Sequence, residues 1–243
     1  MLPHVDIIIV TFDNVRYLEN CLNTIYTTPE DNYTVHVVNN GKPGSLNHFA
    51  KDNTFVHDTG SNLGWMGGIN FVRNKVNGPF VLLLNDDTQV IHFDDFLGKL
   101  LAPFTKYSNI GATGPISNNV SGYQFYNSIV PPPKCHSNHA LIGFCLMVKK
   151  EYLDRVGWLD ATLPGGDDLD LSIKLQDIGL SLAVCRDVTV LHFYGATGKR
   201  VHGDYWDSLD HGDKINISLI KKHGLKRYLS FMSGESMVHA RKQ

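Results

Sequence analysis

The sequence predicts an α/β protein with a central, mostly parallel mixed sheet flanked by helices, and with further helices at its C-terminal end. Three observations predict it. The runs VDIIIV (5–10), TVHVV (34–38) and FVLLL (80–84) are apolar and largely β-branched, as strands buried on both faces are. Stretches with helical periodicity stand between them. The apolar share of 42% over 243 residues is enough for one large core.

Each element follows from local pattern. Val15, Leu18, Leu22 and Ile25 recur at spacings of three or four, the stripe of an amphipathic helix. TVHVV runs out into Asn39, Asn40 and Gly41, which are turn formers. FVHDTGSN (55–62) leads into NLGWMGGIN (62–70), a helix expected to reach about Asn77 before FVLLL begins. Phe96, Leu97, Leu100, Leu101 and Phe104 predict a helix that Asp94 or Asp95 is placed to cap. IGATGP (110–115) and GFCLMV (143–148) read as strands, LDLSIKLQDIG (169–179) as a helix, and SLAVC with VTVLH (to 192) as a return to strand. Residues 117–140, rich in Asn, Ser, Pro and His with PPP at 131–133, read as a long surface loop. From Lys214 onward, Ile217, Ile220, Leu225, Tyr228, Leu229 and Met232 predict one or two helices packed against the body.

Lys and Arg total 22 against 24 Asp and Glu, and a net charge of −2 gives no electrostatic case for nucleic acid or an anionic membrane as the main partner. Cys21, Cys135, Cys145 and Cys185 lie far apart with no C-x-x-C, as free thiols in a reducing compartment do. The N-terminus shows no basic segment followed by an apolar one, and no run approaches the roughly 20 apolar residues that span a bilayer. The expectation is a soluble, intracellular protein of the cytoplasm.

The strand FVLLL ends in Asn85, Asp86 and Asp87. Open α/β sheets bind ligands beyond the carboxyl ends of their strands, although NDD alone reads first as a polar turn. PGGDDLDL (164–171) gathers Asp167, Asp168 and Asp170 at a helix start, where acids also serve as caps. LHFYGATGKR (191–200) places His192 at the end of an apolar strand and before a glycine-rich basic loop; a lone histidine there is ordinarily a hydrogen-bonded residue near the core. Taken together the three describe one site. Two like charges about 4 Å apart cost on the order of 4 kcal/mol at an effective dielectric of 20, so an anionic diphosphate needs a cation among these groups. Hard oxygen ligands with open positions favour Mn²⁺ or Mg²⁺. Rival motifs fail: Phe193 and Arg200 break a phosphate-loop reading of GATGKR, GSNLGWMGG is not G-x-G-x-x-G, and Cys135, His136 and His139 are no complete zinc set.

In order along the chain, VDIIIVTFDN, VVNNG, NLGWMGGIN, LLLNDDT, GFCLMVKKEYLDRVGWLD, GGDDLDLSIKL and VTVLHF resemble the motifs of inverting, metal-dependent glycosyltransferases of the GT-A fold, especially family 2 with its rhamnosyltransferase-like members. The resemblance implies transfer of one sugar from a nucleotide-sugar donor, with UDP or dTDP, to a hydroxyl of a carbohydrate or glycoconjugate acceptor. By position, Thr11, Phe12 and Asn14 match the loop that holds the base, and Asn39 falls where the family has an aspartate accepting from it. Asn62, Gly64 and Gly68 match a segment lining the nucleoside. Asn85 to Asp87 matches the DxD signature with Asn in its first place, which puts Asp86 near ribose or sugar and Asp87 on the metal, with His192 as a further ligand. Asp168 aligns with the general base, supported by Asp167 and Asp170, and Lys199 and Arg200 would fold over the diphosphate. Trp65, Trp158 and Trp206 are candidates for a sugar-stacking platform. The Q-x-x-R-W signature of processive synthases is absent.

On that footing residues 1–243 form one catalytic domain, with a nucleotide-binding half over 1–90, an acceptor-binding half over 91–200 and a helical extension over 201–243. It is expected to be either complete or one module of a larger polypeptide. A sugar-1-phosphate nucleotidyltransferase would carry a glycine-rich, Arg-containing loop after the first strand, which TFDNVRYLEN lacks. A non-catalytic carbohydrate- or nucleotide-binding module derived from a transferase stays open because Asn39 and Asn85 replace acids.

Overall fold

The computed structural model describes residues 2–29, 31–91, 94–128 and 135–243. In order they form β1 (Val5–Thr11), α1 (Val15–Tyr26), β2 (Tyr33–Asn39), β3 (Thr54–Asp58), α2 (Gly64–Phe71), β4 (Phe80–Asn85), β5 (Thr88–Val90), α3 (Phe96–Lys106), β6 (Ile110–Ile116) and β7 (Cys135–Asn138). Then come β8 (Cys145–Lys149), α4 (Lys150–Val156), α5 (Asp167–Asp177), β9 (Ser181–His192), α6 (Ala196–His202), α7 (Leu209–His223) and α8 (Leu225–Met232).

One sheet runs in the order β3-β2-β1-β4-β8-β6-β9-β5, with β7 also pairing to β9. β1 to β4 are mutually parallel where they pair, as β6 is to β9, while β8 is antiparallel to β4 and β6. All seven residues of β1 are buried, Asp6 among them because its carboxylate is hydrogen-bonded by His36 and by Gly78 N–H. Period-two alternation splits the core between the two faces. Ile7, Ile9, Leu82 and Leu84 meet Leu18, Leu22 and Ile25 of α1 and Phe96, Leu100 and Phe104 of α3. Ile8, Val10, Val81 and Leu83 meet Ile69 of α2, Leu153 of α4 and Leu171 and Leu175 of α5.

Four local expectations change. α2 stops at Phe71 rather than near Asn77, and the chain continues as single turns closed by Val72 N–H to Ile69 O and Lys75 N–H to Val72 O. Asp95 occupies the N-cap of α3 but makes no capping bond through its side chain, since its φ of 59° is left-handed; Asp94 pairs with Lys99. The 117–140 stretch contains a 3-10 turn at Gly122–Gln124 and the strand β7, because pairing with β9 overrides a polar composition. PPP at 131–133 lies outside the described residues. The basic segment after His192 is not a loop but α6, held by Trp206 lying flat on Gly198. No helix among the described residues is long and apolar enough to cross a membrane.

Candidate active site at the carboxyl ends of β1, β4 and β9

β1 and β4 lie side by side in parallel, so Thr11 and Phe12 emerge beside Asn85, Asp86 and Asp87 at the rim of one cavity of about 770 Å³. The turn after β4 is closed by the Thr88 hydroxyl donating to Asn85 O at 2.7 Å. β5 then pairs with β9 in a register that sets Thr88 opposite His192, which brings Asp87 beside the imidazole. Asp87 O also accepts from Phe193 N–H at 2.9 Å, and its Oδ2 from Ala196 N–H at 3.2 Å.

His192 is fixed on every side. Its ring stacks on Phe144, with centroids 5.2 Å apart. Nδ1 faces the Asn119 carbonyl at 3.3 Å, an acceptor only, so Nδ1 carries the proton. Nε2 faces Asn85 Nδ2 at 3.3 Å, a donor, so Nε2 presents its lone pair. Nε2 also lies 3.4 Å from Asp87 Oδ1. With Nε2 as acceptor the pair offers one nitrogen and one carboxylate oxygen to a divalent cation, which would replace the Asn85 N–H on that lone pair. Among the described residues no three His, Cys, Asp or Glu gather into a metal cage. The two donors present suit a cation that completes its shell with ligand oxygens, as Mn²⁺ and Mg²⁺ do.

Neighbouring Asp86 is 5% exposed, and its Oδ2 has no partner among the described residues. Burial, reinforced by the charge of Asp87, pushes its carboxyl up to about 7. Asn40 lines the same cavity: its Nδ2 donates to Gly64 O at 3.0 Å, and its buried Oδ1 is left without a partner. Across the cavity, Gly165 and Gly166 turn the chain with φ of 157° and 71° into α5, whose first turn carries Asp167 and Asp168. Asp168 accepts from Gly143 N–H at 3.1 Å and Leu169 N–H at 2.8 Å. Burial raises its pKa and those two bonds oppose the rise. Asp167 is raised as well, by burial first and by the charge of Asp168 second.

The model of the glycosyl transferase family 2 matches residues 6–157, more than half of the chain. The chain belongs to glycosyl transferase family 2. None of the curated proteins compared with it matches in sequence. Among solved structures, GalNAc-T7 with UDP, GalNAc and Mn²⁺ aligns at a TM-score of 0.70 and 15% identity, covering 96% of this chain and 56% of that one. The mannosyltransferase PcManGT from Pyrobaculum calidifontis, in complex with GDP-Man and Mn²⁺, aligns at 0.66 and 18%, over 97% and 76% of the two chains. S. aureus TarS 1-349 in complex with UDP-GlcNAc aligns at 0.66 and 14%, over 94% and 71%. The fold of this family 2 member is thus the GT-A fold, and the chain spans just over half the length of GalNAc-T7.

Within this family 2 chain, Thr11, Phe12, Asn62, Gly64, Asn85, Asp86, Asp87, Asp167, Asp168 and His192 all line the one cavity. Six expected residues are placed otherwise. Asn39 turns away: its Nδ2 donates to Asp58 at 2.6 Å and to Lys42 O, and its Oδ1 accepts from Gly41 N–H. Gly68 serves packing, since a Cβ there would stand 2.7 Å from Val10 Cγ1. Asp170 is fully buried behind the helix, bound to His223 at 2.7 Å and Lys222 at 2.9 Å. Lys199 pairs with Asp207, and Arg200 lies over the Phe12 ring with a bond to Phe12 O. Asn14 does not line the cavity: its amide donates to Thr197 of α6 at 2.6 Å. Trp65 and Trp206 reach the cavity, whereas Trp158 is buried with its indole N–H on Asp154.

Sequence reasoning missed Asn40, Asn118 and Asn119. Asn118 Oδ1 accepts from His192 N–H at 2.8 Å, so the start of the 117–140 stretch holds the histidine. For Asn40 a signal existed: parallel pairing sends residue 39 and its neighbour to opposite sides, and one of two adjacent asparagines had to face the cavity.

Proposed function

We propose that this family 2 member transfers a single sugar from a nucleoside diphosphate donor, UDP or dTDP, to a carbohydrate hydroxyl with inversion. The observation that carries the reading is the Asp87–His192 gap of 3.4 Å opening on the same cavity as Asp168. Asn40 Oδ1 is the free acceptor suited to the imide N–H of uracil or thymine. Asp86 suits a ribose or sugar hydroxyl, which supplies the hydrogen bond its buried oxygen lacks. Asp87 and His192 would hold Mn²⁺ or Mg²⁺, which when bound offsets charge on the departing diphosphate. Asp168, across the cavity, takes the proton from the acceptor oxygen as it attacks the anomeric carbon from the face opposite the diphosphate. Its raised pKa makes it a better base than a solvated carboxylate once ionised. Nucleotide binding belongs to residues 1–90 and acceptor binding to 91–200, with α6 and α7 completing the wall. Four free cysteines suit the reducing cytoplasm.

The test has two arms. Asp168→Asn binds donor as the wild type does and loses transfer by about 10²- to 10⁴-fold. Asp87→Ala loses the cation-dependent part of nucleotide affinity, read as a thermal shift by UDP with and without a chelator. Donor binding without turnover by the wild type would leave a binding module as the better reading, and wild-type turnover in Asp168→Asn would take the role of base away from Asp168.

A further inference from the structure

The net charge of −2 conceals a segregation along the chain. Residues 214–243 carry seven Lys and Arg against one Glu, whereas the residues before them carry 15 Lys and Arg against 23 Asp and Glu. The basic part is the second half of α7, all of α8 and the tail beyond it. Some of its charge is spent inside the molecule: Lys222 binds Asp160 and Asp170, and Arg227 binds Asp177. Lys221, Lys226, Arg241 and Lys242 are exposed.

The same helices carry apolar surface that the core does not use. Tyr228 and Phe231 bury one face of α8. Leu225, Leu229 and Met232, spaced by four and three, form a second face and are 57%, 55% and 46% exposed. On α7, Ile217 is 49% exposed, with Lys221 one turn after it and, one turn before it, the exposed Asp213 and Lys214, the latter paired with Asp210. A globular helix needs one apolar stripe for its core; a second, flanked by lysines, is the pattern of a helix lying in the plane of a lipid interface.

We propose that the outer face of α7 and α8 docks on an anionic bilayer surface. Leu225, Leu229 and Met232 enter the boundary between headgroups and acyl chains, and Lys221 and Lys226 meet acidic headgroups. Charge selects this occupant. A second copy would set basic surface against basic surface, whereas an acidic lipid leaflet presents the opposite sign. α7 also gives His211 and Ile215 to the cavity, so docking holds the site within about one helix diameter, roughly 10–12 Å, of the lipid surface. The binding itself does not depend on the transferase reading.

Flotation of the full chain with vesicles of phosphatidylcholine alone, or with one third phosphatidylglycerol, tests the assignment. The wild type is expected to float with the acidic vesicles only and to be released by salt. Lys226→Ala lowers the affinity roughly fivefold, and Leu229→Glu abolishes flotation. Both variants keep the wild-type thermal midpoint and the shift produced by UDP with Mn²⁺, so a failed nucleotide arm speaks against the proposed reaction and not against the surface. No flotation of the wild type, equal flotation with neutral vesicles, or an unaffected Leu229→Glu overturns the proposal. So does a wild-type dimer that Leu229→Glu dissociates without any vesicle binding, since the face then belongs to a second copy.

Discussion

Asn39 and Asn40 are adjacent, chemically identical and physically opposite. Asn39 faces Asp58 with its amide N–H at 2.6 Å, and only an amide can donate there. An aspartate in its place would set a buried carboxylate against the exposed one of Asp58, a repulsion that the amide avoids. Asn40 presents its unpaired oxygen to the cavity. Asn40→Ala therefore weakens UDP binding by about tenfold, the worth of one buried hydrogen bond, with little change in thermal midpoint. Asn39→Asp lowers the midpoint and leaves the affinity of the folded fraction close to wild type. Isothermal titration with UDP alongside thermal unfolding separates the two, and a larger affinity loss in Asn39→Asp than in Asn40→Ala would return the base contact to Asn39.

The elements that were legible in the sequence are those whose pattern is local. β1, β2, β4 and α1 announce themselves through largely apolar, β-branched runs and a three-to-four spacing, and the NDD, GGDD and His192 sites lie at their ends or at the ends of β9 and α5. β7 is held by a distant partner, β9, which no window of sequence contains, and α6 by Trp206 packing on Gly198, a contact eight residues away that leaves no apolar periodicity to read. The seat of α7 on α5 is of the same kind. A Cβ on Gly166 would lie 2.6 Å from Ile215 Cγ2, and a φ of 71° already disfavours any side chain. Asp170 adds, from the buried side of α5, an ion pair to Lys222 and a hydrogen bond with His223 of α7. Gly166→Ala thus displaces the first turn of α5, where Asp168 is. We expect a loss of about 1–3 kcal/mol in stability and a fall in kcat larger than any rise in KM for donor. Unchanged kcat in a destabilised variant would mean that α7 supports the fold without orienting the base.

Across the whole molecule, carboxylates divide by position. Asp167 and Asp168 at the cavity are raised by burial, whereas Asp160, hydrogen-bonded to Lys222 and Thr162, and Asp154, hydrogen-bonded to Lys150 and Trp158, are lowered. The two groups pull stability in opposite directions with pH. A carboxylate whose folded pKa lies above its unfolded value binds more protons when folded, so its cost appears as pH climbs above about 4 and is complete once the folded pKa is passed. A lowered one contributes stability above about 4 and loses it as pH falls below. The ligand-free protein should therefore be most stable under mildly acidic conditions and lose stability toward pH 8. Asp167→Asn removes one raised acid while keeping its size and its hydrogen-bonding reach. Its thermal midpoint should exceed that of the wild type at pH 8 and approach it near pH 3, because there the wild-type carboxyl is largely protonated in both states. A gain of the same size at both values would trace the stabilisation to packing, and the site would then carry no electrostatic strain for a donor and its cation to relieve.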